Sequence, residues 1–175
     1  MNNKTLHLTR SALIAAIYVV LTFVANAFGL ASGDIQVRFS EALTILPLFT
    51  IDAVPGLFVG CILSNTLTGC LPLDTVFGSL ATLAGAVGTY MIGKKIGFMK
   101  AGFKTSKLNW VKYTGCLPPI IANTLVVPYV LAYVYEVEGA IPVFMLTVGA
   151  GEVISCGILG IALMLSLEKY RNIFR

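Results

Sequence analysis

The sequence predicts an all-α integral membrane protein, a single domain of six transmembrane helices, and three observations predict it. Of 175 residues, 57% are hydrophobic and only 11% are charged, whereas soluble domains carry about 25% charged residues. The mean hydropathy is +0.89, and a soluble chain of this size could not cover so much apolar surface with so few charges. The apolar residues also fall in continuous runs, not in the short alternating segments of a membrane β-barrel.

The first span covers residues 8–29. Lys4 and Arg10 followed by an apolar stretch and Ala25-Asn26-Ala27 imitate a cleavable leader, but removing it would leave an odd number of spans and break the charge layout. The second span, 39–50, contains Pro47. Twelve helical residues reach only about 18 Å, so this segment is expected to be half-buried by neighbours or tilted in from an outer loop. The third span, 53–70, follows Asp52 closely, and the fourth covers 74–97. A basic stretch separates it from the fifth span, 117–135. The sixth, 141–167, has Pro142 at a helix-start position, where its missing N–H is harmless.

Lysine and arginine placement orients the bundle. Lys4 and Arg10 precede span one. Lys94, Lys95, Lys100, Lys104, Lys107 and Lys112 separate spans four and five, and Lys169, Arg171 and Arg175 follow span six. With six spans these places share one side, so both termini are expected to be cytoplasmic and only Arg38 faces out. The outer loops carry Asp34, Asp74, Glu136 and Glu138.

Some motifs carry no chemistry. Gly88-TYMI-Gly93-Lys94-Lys95 nearly matches a phosphate-binding loop, but Lys95 stands where Ser or Thr would hold magnesium, and the setting is the inner end of an apolar helix. The stretch reads as a positive-inside anchor, and any ATP-driven work is assigned to a partner. No cofactor or metal site is expected: His7 is the single histidine, and Cys61, Cys70, Cys116 and Cys156 form no CxxC pair and lie in or beside apolar runs. Gly56, Gly60, Ser64 and Thr68 form a small-residue face suited to packing within the bundle. Ala12-xxx-Ala16 suits internal packing or docking to another protein equally well.

Polar residues inside the spans are more informative, because a charge at mid-bilayer costs about 2.5–3.5 kcal/mol on the insertion scale. Glu152 lies near mid-membrane in span six, and Asn123 at a comparable depth in span five. Asn65 sits near the outer end of span three, and Asp74 opens span four. Arg38 and Glu41, spaced i,i+3, can pair on one helix face. The bland readings are an interfacial ion pair for Arg38–Glu41 and interhelical hydrogen bonds for Asn65 and Asn123. Glu152 has no lysine or arginine at its depth, so it is protonated, hydrogen-bonded to a group such as Asn123, or reserved for a ligand. Tyr129 and Tyr133 share a face that is either part of an interfacial aromatic belt or a stacking platform. Together these residues describe an outward-facing pocket for a small, flat, cationic molecule. A carboxylate there can accept paired N–H bonds from an amidine-like edge.

The stretches VRFSEALTILPLFT, PGLFVGCILSN, DTVFGSLATLAGAVGTY and GEVISCGILGIAL resemble the QueT family, proposed queuosine-precursor transporters among the S components of energy-coupling-factor (ECF) transporters. The resemblance runs from about Leu8 to Leu167, and the SEAL-plus-LPLF and GE segments are its most specific parts. It implies a six-helix S-component fold in the bacterial plasma membrane, with the substrate bound near the outer face. Implied partners are a transmembrane coupling protein and two cytoplasmic ATPases, with no nucleic acid. In such proteins Ala12 and Ala16 match the AxxxA pattern that docks the coupling protein, and the outer loop 30–37 acts as a lid. The implied ligand is a 7-deazaguanine bearing an aminomethyl group. Glu41 is then expected to contact the ligand and Arg38 to orient Glu41 or close the lid.

Three other readings compete. The first is an S component for another small ligand, such as a vitamin; an anionic vitamin would want Arg or Lys in the pocket, and only Arg38 is available outside. A stand-alone proton-coupled carrier would use Glu152 as its proton site. An intramembrane enzyme lacks any supporting metal-ligand cluster or Ser/His arrangement, so no catalytic residue is assigned.

Overall fold

The computed structural model describes residues 3–30, 36–98 and 109–170. Asp34 and most of the expected lid, Lys100, Lys104 and Lys107, and Arg171 and Arg175 lie outside the described residues. The described chain is all-helical, with no strand, and comprises α1 (Asn3–Ala27), α2 (Phe39–Leu48), α3 (Ala53–Leu67), α4 (Pro72–Ile96), α5 (Trp110–Tyr133) and α6 (Ile141–Glu168). Four of these, α1, α4, α5 and α6, are long and apolar enough to cross a membrane, while α2 and α3 are shorter apolar helices.

Local chemistry explains where the ends fall. Helix α4 starts at Pro72, two residues before Asp74, because proline is tolerated in a first helical turn. It ends at Gly97, whose φ of 69° is the left-handed cap conformation. Helix α5 begins well before Leu117: a helical turn at Asn109–Tyr113 joins the main segment through a 3₁₀ turn at Thr114–Cys116. Pro118 and Pro119 then sit in the first turn of that segment, where their missing N–H groups are tolerated.

Helix α2 is the centre of the bundle. It is a 3₁₀ helix of 10 residues with every side chain from Ser40 to Leu48 buried, and it rises only about 20 Å. It contacts α1, α3, α4 and α6. Around it the succession α1–α3–α4–α5–α6 packs neighbour on neighbour. Runs of 3₁₀ helix this long are unusual, and here contacts on all sides hold one.

Small residues set the closest approaches. A methyl group at Gly60 would stand 2.9 Å from Tyr18 Cβ, which draws α3 onto α1. One at Gly85 would stand 2.6 Å from Pro119 Cα, which does the same for α4 and α5. On α1 it is Ala15 that is buried against α3, whereas Ala12 and Ala16 face outward beside exposed Leu13 and Ile17. The ends bearing Lys4, Arg10, Lys94, Lys95, Lys112 and Lys169 gather on one side. There Asp52, buried before α3, meets His7 Nδ1 at 2.7 Å and Arg10 Nη1 at 3.7 Å, and Lys112 of α5 pairs with Glu168 of α6 at 2.7 Å.

Candidate functional site

The opposite end, where α1, α3 and α5 finish and α4 begins, holds a cavity of about 490 Å³. Thr22, Asn26, Asn65, Thr68, Asp74, Val130, Leu131 and Tyr135 line it. Gln36, Arg38, Asp74 and Val127 line both this vestibule and a narrower chamber of about 30 Å³. The chamber is completed by Glu41, Cys61, Thr82, Asn123 and Glu152, among others.

Each acidic group is held differently. Asp74 lies in the first turn of α4, where the helix dipole favours a carboxylate, and its Oδ2 accepts a bond from the Tyr135 hydroxyl at 2.8 Å. Tyr135 lies beyond the end of α5. Burial, reinforced by this bond, pushes its phenol above the usual range, so it remains a donor. Glu41, 2% exposed, accepts a hydrogen bond from the Tyr18 hydroxyl on its Oε1. Its Oε2 is buried and has no hydrogen-bond partner among the described residues. Glu152 accepts from Asn123 Nδ2 at 3.1 Å on Oε1 and from Cys156 Sγ at 3.1 Å on Oε2.

A change of helix type makes the last contact. Helix α6 passes into a π-helical segment, Val153–Leu159, directly after Glu152, and such wide turns occur often at functional sites. Within it Cys156 reaches Glu152 and also accepts from Thr44 Oγ1 of α2 at 3.3 Å. Ser155 Oγ accepts from the backbone N–H of Arg38 at 3.1 Å. The chain before α2 is thereby tied to α6. A methyl group at Gly151 would stand 2.1 Å from the Gln36 carbonyl oxygen.

Six of the eight substrate-binding residues expected from the sequence line these two spaces: Arg38, Glu41, Asn65, Asp74, Asn123 and Glu152. Tyr129 and Tyr133 line neither. They stack on each other, ring centroids 6.3 Å apart and planes 11° from parallel, on an exposed flank of α5 beside Phe77 and Leu125. Arg38 and Glu41 share the chamber, but no ion pair joins them among the described residues; Glu41 is bonded to Tyr18 instead. Sequence reasoning missed Gln36 and Thr22, which line the spaces, and Tyr18 and Cys156, which hold the Glu41 and Glu152 carboxyl groups from behind. Of these only Cys156 carried a signal, its i,i+4 spacing from Glu152.

Glu41, Glu152 and Cys156 bring one donor atom each to within 4.8 Å of one another. Such a trio can receive a small cation.

The family model described as QueT transporter matches residues 8–169. The chain is 33% identical over 81 residues to the queuosine precursor transporter QueT of Lactococcus lactis subsp. cremoris (strain MG1363), covering 46% of this chain and 47% of that relative. The match thus spans about half the length of the curated relative. No solved structure matches.

Proposed function

The chain belongs to the QueT transporter family, a multi-pass bacterial membrane protein whose work is transport and not catalysis, and from that premise we infer that it is the substrate-binding S component of an ECF-type importer that captures a queuosine precursor, 7-aminomethyl-7-deazaguanine, at the outer face. The observation that supports this reading best is the vestibule bearing Asp74 beside a chamber bearing Glu41 and Glu152, at the bundle end opposite the lysines. By the positive-inside tendency that end faces out and both termini face the cytoplasm.

The geometry suits such a ligand. A guanine-like edge offers adjacent N–H donors, and a carboxylate at the vestibule, Asp74, can accept them side by side, with Tyr135 steadying it from behind. Arg38 can donate to the ring carbonyl. Charge-assisted bonds of this kind contribute about 1.5–3 kcal/mol each. Asn65 and Thr22 add adaptable partners along the wall. An anionic vitamin would meet three carboxyl groups and a single guanidinium.

The phosphate-loop-like stretch departs from its pattern at Lys95, so ATP hydrolysis falls to two cytoplasmic ATPases, joined through a transmembrane coupling protein. Ala12 and Ala16, exposed on α1, are the docking surface for that protein.

Calorimetric titration of the purified chain against the aminomethyl deazaguanine, guanine and a panel of water-soluble vitamins tests the reading. Tight binding of the first, much weaker binding of guanine, and loss of binding in Glu41→Gln with expression intact are expected. Binding of a vitamin instead would retain the importer and discard the ligand. A folded protein that binds none, together with uptake into liposomes lacking ATPases, would favour the proton-coupled carrier.

A further inference from the structure

The enclosed chamber has a size, a charge and an unsatisfied atom that together define what fits it. Its volume of about 30 Å³ is room for one or two water-sized groups. Two carboxyl groups line it, Glu41 and Glu152, and with the Cys156 thiol behind them they bring one atom each to within 4.8 Å of one another. Oε2 of Glu41, in a side chain 98% removed from solvent, has no hydrogen-bond partner among the described residues, although a buried carboxylate oxygen ordinarily has one. The chamber adjoins the vestibule, and Arg38, Gln36 and Asp74 form walls of both.

We propose that this chamber is a subsite for a primary ammonium group, the tip of a larger ligand whose body lies in the vestibule, with Glu41 Oε2 and the Glu152 carboxyl as its acceptors. The proposal deepens the reading of the cavity as a substrate site and rests on it. Three acceptor directions suit –NH₃⁺, which has three donors and no acceptor. A divalent metal ion suits the chamber less well. Arg38 faces the same space and repels a double charge more than a single one. Cys156 would also have to be a thiolate to serve as a metal ligand, yet it sits as a donor to Glu152 Oε2. A chamber that shares its walls with a much larger vestibule favours a group carried on a ligand over an isolated ion.

The test uses the purified full chain in detergent. Thermal unfolding is followed at constant ionic strength in methylammonium, tetramethylammonium or sodium chloride, and in micromolar zinc. Methylammonium should raise the midpoint by several degrees relative to the other two salts, and the rise should vanish in Glu41→Gln and in Glu152→Gln. Equal midpoints in the three salts, a rise that survives both substitutions, or saturable one-to-one zinc binding without a methylammonium effect would overturn the proposal. A second arm compares 7-aminomethyl- with 7-methyl-7-deazaguanine by calorimetry. The amine should strengthen binding at least a hundredfold, and Glu152→Gln should remove that advantage; an unfolding midpoint of the variant in sodium chloride close to that of the parent shows it to be folded. Equal binding of the two compounds overturns the ammonium subsite and leaves the deazaguanine reading standing. If neither binds while the methylammonium effect and its loss in the variants persist, the subsite stands and the deazaguanine reading falls.

Discussion

The hydroxyl of Tyr18, near the middle of α1, donates to the carboxylate of Glu41 in the central α2. Tyr18 is 1% exposed, and its Cβ lies against the glycine face of α3 at Gly60. One residue therefore joins three helices and holds one oxygen of the chamber's carboxylate in place, leaving the other oxygen unpartnered. The helix that carries Tyr18 also carries the outward-facing Ala12 and Ala16.

Removing only that hydroxyl should loosen Glu41 without emptying the space around the ring. Tyr18→Phe is expected to weaken ligand binding about tenfold, the equivalent of one buried hydrogen bond at ~1.4 kcal/mol, with a small drop in thermal stability. Titration of the variant beside the parent protein checks this. Unchanged affinity would mean that Glu41 is positioned by α2 alone.

Much of the site was legible because the bilayer makes isolated polar groups conspicuous. Glu152 and Asn123 stood out by depth alone, and their side chains are in fact hydrogen-bonded. The absence of an Arg38–Glu41 ion pair was not legible: i,i+3 spacing brings residues together only if both are helical, and Arg38 is extended, with φ −109° and ψ 112°. Tyr129 and Tyr133 do share a face, but which face of α5 looks inward depends on how α4 and α6 pack against it. Val127, Val130 and Leu131 face the vestibule instead. Tyr18 gave no warning, since one tyrosine in an apolar span reads as bulk. The 3₁₀ form of α2 and the π-helical segment of α6 depend on tertiary contacts that no local pattern encodes.

The close passage of the chain past Gly151 yields a second prediction. An alanine there would place Cβ 2.1 Å from the Gln36 carbonyl oxygen, so that segment must retreat by more than about 1 Å to restore an ordinary contact. Gln36 and Arg38 line both cavity spaces, so Gly151→Ala should weaken ligand binding at least tenfold. Gly157→Ala is the control, because its nearest neighbour would be Val153 Cγ1 at 3.8 Å. Equal affinities for the two variants would show that the segment near Gln36 does not shape the site.

At the lysine-bearing end, Asp52 fastens α1 to the start of α3. Its side chain is 4% exposed, whereas that of His7 is 57% exposed. Truncating the buried partner removes an acceptor that both His7 and Arg10 face, while truncating the exposed partner leaves Asp52 beside Arg10. Asp52→Ala should therefore cost about 1–3 kcal/mol of stability and His7→Ala less than about 1 kcal/mol. Thermal unfolding in detergent at matched salt compares them. Ligand affinity should be nearly unchanged in both, since neither residue lines the cavity at the other end of the bundle.

The two faces of α1 allow docking to be separated from folding. Ala15 is buried and its Cα would lie 3.1 Å from a methyl group at Gly60, whereas Ala12 and Ala16 are exposed. Close helix–helix approach in a bilayer depends on small side chains, so a leucine harms whichever contact its position serves. Ala15→Leu should disturb the α1–α3 contact and lower stability together with ligand binding. Ala12→Leu and Ala16→Leu should leave ligand binding and unfolding near those of the parent, yet sharply reduce co-purification with the proposed coupling protein and uptake by the proposed assembly. Full uptake by the Ala12→Leu, Ala16→Leu double variant would remove this face of α1 from the docking surface and leave the groove beside Pro55 and Val59 without a role in assembly.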